Sequence, residues 1–318
     1  MIDGKPMSAR QLLRTILLLQ ALCMLAIAVA LVYFGVTDSY LLALAGALVL
    51  VLLVRMTITA NNFIVTSRHA SQTPADYRIG VAGGARLFGE EFMATMLHSS
   101  WFMARAVPRE SIHPDSLLPP VLLLHGYGCN CGYWAQLTPM LDSARISYAA
   151  VDLEPVLGDI DDYLHSVEQA VASLCTKTNA PKVIIVAHSM GGLVARAYLR
   201  RHGAGRIAHV FTLGTPHHGT SLASMGVGRN AAQMRRSSHP DTPESGWLRD
   251  LADSETPATR ALITSLYTHH DNIVAPQTSS ELLGARHIEF GGVGHVALGR
   301  NRRVLARLMA ELAMMAAR

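Results

Sequence analysis

The sequence predicts an α/β fold, a mostly parallel central sheet flanked by helices, carried behind an N-terminal transmembrane helical hairpin. Val121 to Leu124 and Val183 to Val186, both apolar throughout, the buried stretch Leu262 to Tyr267 and the short stretch His287 to Phe290 read as strands, and each ends in a glycine-rich or polar turn. The run from Val183 passes through Ala187-His188-Ser189-Met190-Gly191 into the helix-like stretch Gly192 to Leu199, giving a strand, a sharp turn and a helix in succession. Two long apolar runs occupy the front of the chain.

Residues 16–35 are almost wholly apolar, Val36-Thr37-Asp38-Ser39 breaks the run, and Tyr40 to Val54 resumes it, continuing past Arg55 through Met56 and Ile58. A helix rises about 1.5 Å per residue, so about twenty residues match a hydrocarbon core of about 30 Å. The first run spans comfortably; the second is short unless Arg55 reaches toward the interface and Met56 to Ala60 complete the crossing. Lys5, Arg10 and Arg14 also fit a cleaved signal peptide, but the first run exceeds an ordinary signal core and a second follows at once, which favours a hairpin over residues 1–60. Leu22 stands where a lipid-modified cysteine needs a small neighbour, so Cys23 reads as a membrane-buried thiol. Basic residues flank both outer ends, Arg55 and Arg68 following the second run, while the connecting loop carries only Asp38. With both ends of the hairpin inside, that asymmetry predicts the remainder of the chain in the cytoplasm, at the inner membrane if the source is a bacterium.

Residues 61–116 read as a polar linker and an amphipathic helix. Over 84–105, Leu87, Phe88, Phe92, Met93, Met96, Leu97 and Trp101-Phe102-Met103 recur near helical spacing, as in a core-facing helix or an interfacial one. The strand Val121 to Leu124 ends in His125-Gly126-Tyr127-Gly128, with exposed backbone at both glycines. Small residues at Ala187 and Gly191 have a steric reason, because the turn at Ser189 brings the helix start against the strand; alone, the string also fits an ordinary turn. Residues 221–256 are rich in Ser, Gly, Arg and Pro, and their Met225, Val227, Met234, Trp247, Leu248 and Leu251 either line an acyl pocket or pack a long loop. Asp271 sits in a polar turn just beyond the strand at Tyr267; Asp241, Asp250 and Asp253 are rival acids but precede that strand. Gly291-Gly292-Val293-Gly294 leaves the backbone free to hold His295 over the sheet edge, with a helix from about Val296 behind it.

Taken in order, the His-Gly-Tyr-Gly loop, the Ala-His-Ser-Met-Gly turn, Leu213-Gly214-Thr215-Pro216-His217-His218-Gly219, the Asp271 turn and the Gly-Val-Gly-His loop resemble the bacterial lipase and esterase branch of the α/β-hydrolase superfamily. The resemblance runs from roughly Leu117 to the C-terminus and implies an α/β-hydrolase catalytic domain over 117–318. Ala187 replaces the usual first glycine of the nucleophile elbow, as it does in some bacterial lipases. The family order of serine, acid and histidine implies Ser189 as nucleophile, Asp271 as orienting acid and His295 as base. It further implies an oxyanion hole from the backbone N–H groups of Tyr127 and Met190, and a lid over 221–256. The same triad supports a thioesterase or an acyltransferase. A non-catalytic membrane-bound binding protein is a rival of another class, but dead relatives commonly lose a triad member and all three candidates are present here.

A net charge of +4 does not call for nucleic acid, and no basic stretch is interleaved with aromatics. Fifteen histidines invite a metal reading, yet His217-His218 and His269-His270 are adjacent pairs, which point apart, and no His-x-x-x-His or Cys-x-x-Cys accompanies them; no metal or other cofactor is expected. His188 reads as a packing residue of the elbow. Cys129 and Cys131 are too close for an easy disulfide, and Cys175 has no evident partner. Arg300, Arg302, Arg303, Arg307 and Arg318 against Glu311 give a solvated helix face with Val304, Leu308 and Leu312 inward, or a contact with anionic lipid. The expected function is that of a membrane-anchored serine hydrolase cleaving a carboxylic ester, with a lipid or other apolar ester as substrate because the anchor holds the site near the bilayer. A chain begun near Ser111 is expected to be soluble and active on a water-soluble ester.

Overall fold

The computed structural model describes residues 7–236 and 245–316; Lys5, Asp241, Arg318 and residues 237–244 of the expected lid lie outside the described residues. Seven strands form one sheet: β1 (Arg109–Ser111), β2 (Val121–Leu124), β3 (Tyr148–Val151), β4 (Val183–His188), β5 (Ile207–Leu213), β6 (Ile263–Thr268) and β7 (Arg286–Phe290), in the order β1-β3-β2-β4-β5-β6-β7. Only β1 runs antiparallel to its neighbour. Every residue of β2, β4 and β6 is buried, as a parallel sheet covered on both faces requires. Side chains alternate between the two cores. Leu122 and Leu124 meet the helices Leu164–Thr178 and Met190–His202, while Val121 and Leu123 face the side closed by the helix Arg302–Ala316.

Leu124 pairs with Ala187, His188 with Leu213, Leu213 with Leu266 and Thr268 with Phe290, so the segments after these strands all leave the same edge. The carboxyl edge of a parallel sheet is where loops gather functional side chains. The last helix begins at Arg302 rather than near Val296. Val296–Gly299 forms a single 3-10 turn, and Asn301 caps the helix by accepting the N–H groups of Arg303 and Val304. Val304, Leu308 and Leu312 face the core; Glu311, buried beside them, pairs with Arg307 and also binds Arg286.

Among the helices that precede the sheet, the two longest are α1 (Ala9–Tyr33) and α2 (Tyr40–Ser67), capped by Ser8 and Ser39. Each is long and apolar enough to cross a membrane. Ala28, Ala43 and Ala47 pack between them, whereas Leu18, Leu25 and Leu41 are more than half exposed. The second helix is not short: it continues through Ser67 and absorbs residues expected as linker. From this helix the Arg55 guanidinium donates to Gln20 Oε1 at 2.6 Å, Ser100 Oγ at 2.9 Å and Ser99 Oγ at 3.1 Å.

The following helix, α3 (Val81–Leu97), runs through a π turn at His98–Phe102 into Met103–Arg105. Its buried line is Leu87, Glu91, Ala94 and His98, at helical spacing, whereas the aromatic residues Phe88 and Phe92 flank that line and Met93 and Trp101 are exposed. Residues 69–105 form a strap along the carboxyl edge of the sheet. Ser71 donates to Gln277 Oε1, the Tyr77 ring packs on His269, Glu91 accepts from Val296 and Ala297, and Met103 O accepts from Asn130.

Candidate active site

Ser189 follows β4 directly with φ 54° and ψ −125°, a backbone state that costs an L-residue about 1–3 kcal/mol. The turn is held on both sides: the Ser189 N–H donates to Leu213 O at 2.9 Å, and Thr215 Oγ1 donates to Ser189 O at 2.9 Å. At Gly191 a Cβ would lie 2.6 Å from Leu124 O and 2.7 Å from His125 O, so only glycine lets the helix start so close to β2. Met190 is the first residue of the helix Met190–His202, and its N–H therefore has no intrahelical acceptor.

The loop after β2 rests on His125. Its Nε2 accepts the Leu153 N–H at 2.9 Å, which leaves Nδ1–H to donate to Gly126 O at 2.9 Å; burial pushes this imidazole's pKa down. Gly126 abuts Ser189, a Cβ there lying 2.8 Å from Ser189 Cβ. The next residue, Tyr127, donates its hydroxyl to Val227 O at 2.7 Å and accepts the Val227 N–H at 3.0 Å. That exchange clamps this loop to the segment 221–256. The far end of the segment is pinned by Glu255, which forms a buried bidentate pair with Arg196 of the helix behind Ser189. Within it Met234, Leu248 and Leu251 are buried, while Met225 and Val227 are exposed.

Asp271 Oδ2 lies 2.8 Å from His295 Nδ1. Its Oδ1 accepts the N–H groups of Ile273 at 2.8 Å and Val274 at 2.7 Å, and the His295 N–H donates to Asn272 Oδ1 at 3.0 Å. Burial lowers the His295 pKa, but the charge and hydrogen bond of Asp271, joined by the charge of Glu91, outweigh it and hold the imidazole above its ordinary value. Ser189, Asp271 and His295 are 7, 3 and 4 % exposed, so charge forming among them is poorly screened by water. The His188 ring, one residue before Ser189, lies 4.6 Å from His295 and stacks on Tyr133 at 4.0 Å. Burial, then the neighbouring His295, pushes its pKa well down, so it packs as a neutral ring.

Asp250 and Asp253 are exposed on the helix Gly246–Asp253. Among the described residues no group of three or more His, Cys, Asp or Glu is arranged to hold a metal. His217 is buried against Thr212, and His269 binds Glu289, so each pair of adjacent histidines has a separate use for one ring. Burial raises the Cys129 thiol to about 12, which keeps it protonated. Two contributors have little sequence signature. Gln277 donates to Asp271 O at 2.9 Å, and Glu91 holds the segment after His295; the one clue to Glu91 is a charged residue in step with the apolar face of α3.

The family described as alpha/beta hydrolase fold matches residues 119–271, from just before β2 to Asp271. The mature form of the Bacillus licheniformis lipase BlEst2 superposes with a TM-score of 0.53 at 20% identity, covering 65% of this chain and 97% of that one. Its propeptide form gives 0.55 at 18% identity, over 65% and 53% of the two chains. Aspergillus fumigatus lipase B gives 0.51 at 17% identity, over 64% and 56%. At such identities the likeness is one of fold, and with the strand order and the segment matched it places the chain among proteins of the α/β-hydrolase fold.

Proposed function

We propose that the chain is a membrane-anchored serine hydrolase that cleaves carboxylic esters with apolar acyl groups through an acyl-enzyme on Ser189. The observation that carries this reading is the 2.8 Å bond from Asp271 to His295 at the sheet edge where the strained Ser189 turn opens. Ser189 Oγ attacks the ester carbonyl while His295 takes its proton, then returns it to the departing alcohol; Asp271 keeps Nδ1–H fixed and stabilises the imidazolium. The N–H groups of Tyr127 and Met190 receive the developing oxyanion. Water, activated by His295, then releases the acid and restores Ser189. A fluorophosphonate probe tests this directly: the purified protein is expected to be labelled and to hydrolyse a short aryl ester, and a folded protein that does neither refutes the reading.

The hairpin supports the anchoring part. An exposed leucine forgoes about 1.5–3 kcal/mol of burial, and both helices turn many apolar side chains outward, which suits hydrocarbon and not water. The full chain is expected to stay in the membrane through alkaline carbonate washing. A reporter fused to the C-terminus is expected to behave as cytoplasmic, from the basic residues flanking the outer ends of the hairpin. An active alkaline phosphatase fusion in intact cells contradicts that orientation. The strap changes where the chain divides. A chain begun near Ser111 loses Ser71, Glu91 and Met103 from the loops they bind, so its ester turnover should be lost, whereas one begun near Ser71 should retain it.

A further inference from the structure

Glu91 is a fully buried carboxylate on α3, a helix outside the matched hydrolase segment. Its Oε1 accepts the Val296 N–H at 3.0 Å and its Oε2 the Ala297 N–H at 2.9 Å. On the other side of His295, a Cβ at Gly294 would collide with Glu91 Oε2. The carboxylate is therefore wedged against the backbone both before and after the histidine. Among the described residues no Lys or Arg forms an ion pair with it, so the cation its charge meets is His295 itself.

We propose that Glu91 is a positioning residue for the reaction: it fixes the backbone on both sides of His295 and sets a second negative charge beside the imidazolium formed when Ser189 loses its proton. This rests on the reading of Ser189 and His295 as nucleophile and base. Among the described residues three ionisable side chains bear on His295, namely Asp271 from the loop after β6, His188 from β4 and Glu91 from α3. Since His188 is held neutral, the two carboxylates set the charge around the ring. Burial pushes the Glu91 pKa up and the charge of Asp271 adds to that; the two N–H bonds and the charge of His295 oppose the rise, which stays upward in sum, so the His295 imidazolium is the partner that favours the charged carboxylate. Glu90 provides a control, because it is tied to the same region through Asn301 at 2.6 Å and does not bind the histidine loop.

The experiment measures kcat and KM against pH on a soluble ester, with thermal unfolding alongside, for the full-length protein and its Glu91→Gln, Gly294→Ala, Glu90→Gln and Ser189→Ala variants. Glu91→Gln is expected to lower kcat about tenfold or more with KM nearly unchanged. Its acid limb of kcat/KM should move to lower pH by roughly half a unit or more, because an anion favouring the imidazolium is gone. Gly294→Ala should reproduce the limb shift by displacing the carboxylate, and it carries the comparison if Glu91→Gln does not fold. Glu90→Gln should leave the limb in place. A Glu91→Gln protein that folds with an unmoved limb, whether or not kcat falls, overturns the proposal. Turnover that persists in Ser189→Ala overturns the underlying reading of the site instead.

Discussion

Ser189→Ala should leave a folded, membrane-bound protein that takes up no fluorophosphonate and hydrolyses short esters at least about 10⁴-fold more slowly than the parent. The loss is chemical rather than structural. The turn is held by the backbone N–H and C=O of Ser189, bound to Leu213 and Thr215, and neither bond involves the hydroxyl that is removed. Circular dichroism and the unfolding midpoint should therefore match the parent. Labelling of the purified variant would show that another residue is the nucleophile.

Asp271→Asn should cost about 10⁴ in kcat for a different reason. Asp271 receives three donors: His295 Nδ1–H on Oδ2, and the N–H groups of Ile273 and Val274 on Oδ1. An asparagine has one acceptor oxygen, so either its NH₂ faces the two backbone donors or it faces the ring and favours the wrong tautomer. The sign of the pH effect follows from the balance at His295. With the Asp271 charge gone, burial gains weight, the imidazole pKa falls, and the acid limb of kcat/KM moves to lower pH as the plateau collapses. If Asp253→Asn gives this profile and Asp271→Asn does not, the acid has been misassigned.

Strands and turns were legible in the sequence because their physics is local. Val121 to Leu124 and Val183 to Val186 are apolar throughout because both faces of a parallel sheet are covered, and Gly191 marks the close approach of helix to strand. The strap was not legible, because its contacts join residues far apart in the chain and several are polar. Glu91 among Leu87, Phe88, Phe92 and Met93 looks like the solvated member of an amphipathic helix, yet it lies on the most buried line. Its burial is acceptable only because two N–H groups from the other end of the chain meet it, and no local pattern encodes them. The partners of Arg55 are illegible for a similar reason, since Gln20, Ser99 and Ser100 are its neighbours only in three dimensions.

The strap also fixes when the site can exist. Val296 lies 205 residues beyond its partner Glu91, and Gln277 lies 206 beyond Ser71. At a synthesis rate of about 5–20 residues per second, that separation is roughly 10–40 s of translation. Within that interval Ser189 is made, but Glu91 waits without its N–H partners and His295 has not been made. On the reading of Ser189 as nucleophile and His295 as base, a nascent chain thus carries the first without the second until synthesis has passed residue 297, when the base and both N–H partners of Glu91 exist together.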